Sequence, residues 1–119
     1  MTRFYNTTIR SGQIIEYNGN IVIIGDVNPG ALVRATGNIV ILGKLRGVAH
    51  AGIDGNKNTY VAAYELQPTQ LRIGDIIARK PDEGFAMSNM PEVAKVYKGE
   101  VLIQPYWAKK QWKGGRNIW

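Results

Sequence analysis

Between Gly19 and Gly55 small and aliphatic residues recur on a six-residue beat. Positions 19, 25, 31, 37, 43, 49 and 55 hold Gly, Gly, Ala, Gly, Gly, Ala and Gly, while positions 21, 27, 33, 39, 45 and 51 hold Ile, Val, Val, Ile, Leu and Ala. Three sixes give a longer period of eighteen: GNIVIIG begins at Gly19, GNIVILG at Gly37, and Gly55 again precedes an asparagine. A helix does not suit this stretch, because Ile21-Val22-Ile23-Ile24 is β-branched and each interior glycine costs a helix about 1 kcal/mol. Strands do. Small residues at fixed phases turn corners and aliphatics at fixed phases stack inside, so the pattern predicts an all-β protein, a triangular β-solenoid (β-helix) with about 18 residues per coil.

The eighteen-residue register sets Val27 under Leu45, Ala31 under Ala49, Val33 under Ala51 and Ala35 under Ile53, all directed inward. Side chains alternate along a strand, so Leu32, Arg34 and His50 point out, with Leu32 and His50 as register partners. On the GNIV side Ile21, Ile23, Ile39 and Ile41 point inward. Val22, Ile24, Val40 and Leu42 then form a row of four outward aliphatics, the pattern of an interface. That row is expected either to pair two copies or a partner, or to be covered by the C-terminal segment.

The register weakens after Gly55. One further coil with two or three extra corner residues is expected, then a loop-like stretch RKPDEGFAMSNMPEVAK, then one strand over Glu100 to Gln104. Solenoid ends need atypical caps, and residues 79–107 are read as one. The expected divisions are a lead-in or linker remnant over 1–9, the β-helix with its cap over 10–107, and a basic tail over 108–119.

With 119 residues the chain is one domain. It has no cysteine, which excludes disulfides and thiolate metal sites and fits a reducing cytoplasm. No leader-like start and no apolar run of the roughly 20 residues a spanning helix needs is present, so a cytosolic protein without direct membrane insertion is expected. The net charge of +6 suggests nucleic acid only until it is located. Lys109, Lys110, Lys113 and Arg116 carry four of those charges in the last eleven residues, leaving a body at +2. The tail WAKKQWKGGRNIW, three tryptophans among lysines, has a composition suited to headgroups or nucleic acid, but Gly114-Gly115 argues against a helix.

Chemistry is not visible. There is no phosphate-binding Gly-rich loop ending in Lys-Ser or Lys-Thr, and no carboxylate pair. The single histidine, His50, has no cysteine or second histidine for zinc and no placed partner for base catalysis, so it is expected at the surface. No metal and no cofactor is expected. A corner does stand out: Arg10-Ser11-Gly12 lies under Asn28-Pro29-Gly30, with Arg46-Gly47-Val48 above. Arg10 and Arg46 then project from one edge about 9–10 Å apart, suited to carboxylates or simply solvated.

RSGQ at 10–13, followed by GDVNPGA, TGNIVILG and LRGVAHAG in that order, resembles the C-terminal domain of the bacterial septum-site-determining protein MinC. The resemblance runs from Thr2-Arg3 to QPY. It implies a right-handed triangular β-helix that forms a homodimer, binds the ATP-bound, membrane-associated ATPase MinD, and is thereby recruited to the inner face of the cell membrane. There the family inhibits assembly of FtsZ away from midcell, with at most weak FtsZ contact through this domain. The family's MinD-binding RSGQ carries over to Arg10, Ser11, Gly12 and Gln13, and the register adds Asn28, Gly30 and Arg46 on the same edge. Val48 departs from the family, which often has a second basic residue there. The family's N-terminal domain has no counterpart in these residues, so full inhibition of FtsZ is not expected of them. A non-enzymatic module is the expectation. The rivals are a bactofilin-like polymerising solenoid and a hexapeptide acyltransferase, whose pattern positions 22, 28, 34, 40, 46 and 52 (Val, Asn, Arg, Val, Arg, Gly) match poorly.

Overall fold

The computed structural model describes residues 1–78 and 90–106. The described chain contains eleven strands and no helix: β1 (Thr2–Tyr5), β2 (Ile14–Tyr17), β3 (Asn20–Ile23), β4 (Leu32–Ala35), β5 (Ile39–Leu45), β6 (Val48–Ala51), β7 (Tyr60–Leu66), β8 (Gln70–Ile73), β9 (Ile76–Ile77), β10 (Glu92–Tyr97) and β11 (Glu100–Pro105). Up to β8, odd and even strands alternate between two sheets, β1-β3-β5-β7-β10-β11 and β2-β4-β6-β8-β9; β9 then stays in the second, and β10 and β11 join the first. Pairing is parallel from coil to coil until the C-terminal strands. Isolated bridges from Ile9 to Val27 and from Val27 to Leu45 make a third, short side. The section is triangular, as the six-residue beat requires, and the coils form a β-helix.

Strict alternation fills the interior. Ile21, Ile23, Ile39, Ile41 and Val61 line the first sheet, Val33, Ala35, Ala49, Ala51, Leu71 and Ile73 the second, and Ile9, Val27, Leu45 and Leu66 the third side, all buried. Ile21 pairs with Ile39, and Ile14 with Leu32, at the eighteen-residue spacing.

That spacing fails above the second coil. Val33 pairs with Ala49 and Arg34 with His50, sixteen residues apart. Asn28-Pro29-Gly30-Ala31 turns the lower corner, whereas Arg46-Gly47 alone turns the one above it, between Leu45 and Val48. A two-residue deletion keeps every side chain on its face, so inward and outward assignments survive while partners change. The expected pairs Val33–Ala51 and Leu32–His50 are therefore replaced. The following corner is longer, and Ile39 pairs with Val61, twenty-two residues on. Gly55 belongs to this longer corner and is not the third member of a glycine stack. The Gly37 carbonyl instead accepts from the N–H of Gly52 at 3.3 Å.

Within residues 1–9, β1 pairs with β3 in register, and Ile9 sits 1 % exposed in the core. Arg3 occupies an inward position under Ile21, and its guanidinium lies 5.4 Å over the Tyr5 ring and 6.0 Å from that of Tyr17. This trio closes the open first coil. At the other end one expectation is corrected: Glu92–Lys95 of PEVAK is strand rather than loop. β10 and β11 form an antiparallel hairpin, and β10 joins β7 antiparallel, which ends the parallel stack. The tail 108–119 and the first part of the expected cap, 79–89, lie outside the described residues.

Candidate functional site: a stacked corner and an apolar face

RSGQ folds as a tight turn. The Gln13 N–H donates to the Arg10 carbonyl at 2.9 Å, the Gln13 side-chain oxygen accepts from the Arg10 N–H at 2.6 Å, and Gly12 takes φ +88°. NPGA repeats it one coil higher: Ala31 N–H donates to Asn28 carbonyl at 3.0 Å and Gly30 takes φ +89°. A positive φ at the third position is what a type II turn demands, and Pro29 at the second position presets its φ. The Gly12 N–H donates to the Gly30 carbonyl at 2.9 Å, so the two turns stack. Ser11 lies against Gly30, where a Cβ would collide with its hydroxyl.

The ladder carries the column upward. Asn28 N–H donates to the Ile9 carbonyl and Arg46 N–H to the Val27 carbonyl, setting Arg10, Asn28 and Arg46 on one edge. All seven corner residues reach solvent, with Asn28 half-buried. Among the described residues, Arg34 pairs with Glu16 at 3.2 Å, and Lys44 and Lys57 have carboxylates at 3.9 Å, while neither Arg10 nor Arg46 is in an ion pair. The edge therefore offers two arginines without ion pairs, carried by a rigid frame whose backbone positions are two coils, about 9–10 Å, apart.

On the other sheet, alternation sends Val22, Ile24, Val40 and Leu42 outward as expected. Val22 and Val40 are half-buried, whereas Ile24 and Leu42 remain 43 % and 39 % exposed. The patch extends beyond those four. Phe4, paired with Val22, is 65 % exposed, and Ala62 pairs with Val40. Val40, Leu42, Ala62, Tyr64, Pro91 and Tyr106 line an apolar groove of about 350 Å³ with Glu92 at its edge. Phe4 was recoverable from the eighteen-residue register, but Tyr64 and Tyr106 lay beyond the point where that register breaks.

His50 is half-buried, with Nε2 2.7 Å from the Gly74 carbonyl oxygen. Its strand neighbours are Arg34 and Arg72, and Arg72 Nε is buried without a hydrogen-bond partner. Among the described residues, no three His, Cys, Asp or Glu side chains gather as a metal-binding group.

Residues 3–106 match the profile of the septum formation inhibitor MinC, C-terminal domain. The chain belongs to this MinC family. A relative from Thermoanaerobacter sp. (strain X514), named "Probable septum site-determining protein MinC", is 56 % identical over 105 residues, covering 88 % of this chain and 49 % of the relative. One from Ruminiclostridium cellulolyticum with the same name is 61 % identical over 102 residues, covering 85 % and 44 %. The chain thus spans about half the length of these curated MinC relatives. Among solved structures, a chain of the MinC:MinD cell division protein complex of Aquifex aeolicus superposes with a TM-score of 0.81 at 37 % identity, covering 95 % of this chain and 92 % of that one. No helix among the described residues is long and apolar enough to cross a membrane.

Proposed function

We propose that this chain is a non-enzymatic docking and dimerisation module of a MinC-type septum formation inhibitor. Its corner, Arg10, Ser11, Gly12, Gln13, Asn28, Gly30 and Arg46, binds MinD in its ATP-bound, membrane-associated form. The outward face of the first sheet, with Val22, Ile24, Val40 and Leu42, pairs two copies. Through MinD the dimer is carried from the cytoplasm to the inner face of the membrane, where the full-length protein opposes FtsZ assembly at sites other than midcell.

The observation that carries this reading is the stacked pair of turns. Together with the Arg46-Gly47 corner above it, this pair presents two arginines without ion pairs in a chain 37 % identical to a chain of a MinC:MinD complex. Two corners per dimer let weak single contacts act together on a surface crowded with the partner, raising the apparent affinity by about 10²–10⁴-fold over one contact. The test is co-sedimentation with the cognate MinD, ATP and lipid vesicles. Wild type should be recruited only with ATP and MinD, and an Arg10→Ala, Gln13→Ala variant should stay in the supernatant. Equal recruitment of both would remove the corner from the interface.

A further inference from the structure

Directly behind the corner, on the outer face of the second sheet, Ile14, Leu32 and Val48 occupy one row on neighbouring strands, continued by Gln70. Each follows a corner segment in the chain: Ile14 after Gln13, Leu32 after Ala31 and Val48 after Gly47. Ile14 is 66 % exposed, and Leu32 and Val48 are half-buried. Two residues farther along the strands runs a polar row, Glu16, Arg34, His50 and Arg72.

The two flanks of the apolar row differ. On the far flank Arg34 is engaged with Glu16 at 3.2 Å and His50 with the Gly74 carbonyl at 2.7 Å, while Arg72 at the end of the row keeps a buried Nε without a hydrogen-bond partner. On the near flank Arg10 and Arg46 are without ion pairs. A partner that covered the far row would have to break those internal contacts or desolvate them. One that covers the corner and the aliphatic row breaks nothing and removes apolar surface from water.

We propose that the MinD-binding surface extends from the corner onto Ile14, Leu32 and Val48 and stops at the Glu16–Arg34 pair. This rests on the assignment of the corner to MinD. The partner it fits places carboxylates opposite Arg10 and Arg46 and aliphatic or aromatic side chains opposite the row. Charge sets encounter and register, while the apolar strip slows dissociation. Val48, the first residue of β6, thus adds apolar surface beside a corner column that holds only two arginines.

The experiment measures affinity for ATP-bound MinD on vesicles at several salt concentrations, with melting temperature and sedimentation of each variant alongside. Ile14→Ser and Val48→Ser should each weaken binding about tenfold. Their salt dependence should stay that of wild type and Ile14→Ser should not shift the melt, while Ile14→Val restores affinity. Arg10→Ala should instead flatten the salt dependence. Wild-type affinity in both serine variants, with the Arg10→Ala, Gln13→Ala variant still unable to bind, overturns the extension and leaves the corner assignment intact. Full binding by that corner variant overturns the corner assignment and this extension with it. A shift from dimer to monomer in Ile14→Ser would make the row a contact between copies and also overturn the proposal.

Discussion

The side-chain oxygen of Asn20 accepts a hydrogen bond from the backbone N–H of Asn38, one coil above, at 2.8 Å. The Asn38 side-chain nitrogen donates to the same oxygen at 3.1 Å, and the Asn38 oxygen in turn accepts from the Tyr60 N–H at 2.9 Å. Asparagines thus carry the ladder around the corner between the two sheets, where strand pairing has lapsed. Removing one leaves partly buried N–H groups unpaired. Asn20→Ala is expected to cost about 1–2 kcal/mol, read by chemical denaturation. An unchanged midpoint would mean that water replaces the ladder at no cost.

Gly30 links the same stacking to the corner proposed to dock MinD. Its φ of +89° lies where an L side chain is strained, and a Cβ there would meet the Ser11 hydroxyl one coil below. Gly30→Ala should cost about 1–2 kcal/mol through the left-handed backbone alone and displace Ser11. It should lower affinity for MinD while the protein remains folded by circular dichroism. Retained affinity would show that the corner tolerates a shifted Ser11.

How much of this was legible follows from what each residue can report. Ile39 over Ile21 was readable because the GNIV segments that hold them repeat eighteen residues apart. The contraction at Arg46-Gly47 was hidden, since Ala49 and Ala51 are interchangeable core residues and a shift of two leaves each on the same face. Gly55 sits eighteen residues after Gly37 without stacking on it, so glycine spacing alone misled. The strand over PEVAK was concealed by Pro91 and by Glu92, a polar residue opposite inward Ala63, although Ala94 lies buried against β7. Arg3 gave no apolar signal because a cation closes the first coil. The corner was legible since turn chemistry is local, whereas the aliphatic row behind it emerges only when three strands are laid side by side.

The first coil supplies another test. Arg3 stacks on Tyr5 and Tyr17 where the coils above hold isoleucine and alanine inside. A charged plug on an unpaired edge discourages another solenoid from stacking end-on. Arg3→Ala should lose about 1 kcal/mol of stability with the cation–π contacts. Arg3→Ile should keep the fold and add concentration-dependent species larger than a dimer in sedimentation velocity. A strictly dimeric Arg3→Ile would assign that protection to another feature of the edge.

Burial raises the pKa of the Glu92 carboxyl above its ordinary value. In the window between the ordinary and the raised value the folded state holds a proton that the unfolded state has released, so stability falls as pH rises through it. Glu92→Gln should therefore be more stable than wild type at pH 7 and equal to it at strongly acidic pH. Because Glu92 borders the apolar groove, the substitution should also tighten the proposed pairing of two copies through that face at pH 7. Parallel pH profiles for the two proteins would contradict the assignment.

Site-specific photo-cross-linking tests both faces of the module in one experiment. A photoreactive residue replaces Pro29, at the tip of the corner, or Leu42, on the apolar face, in the presence of MinD, ATP and vesicles. An ATP-dependent adduct with MinD is expected from position 29, and an adduct between two copies of this chain from position 42. An adduct with MinD from position 42 and none from position 29 would contradict these assignments.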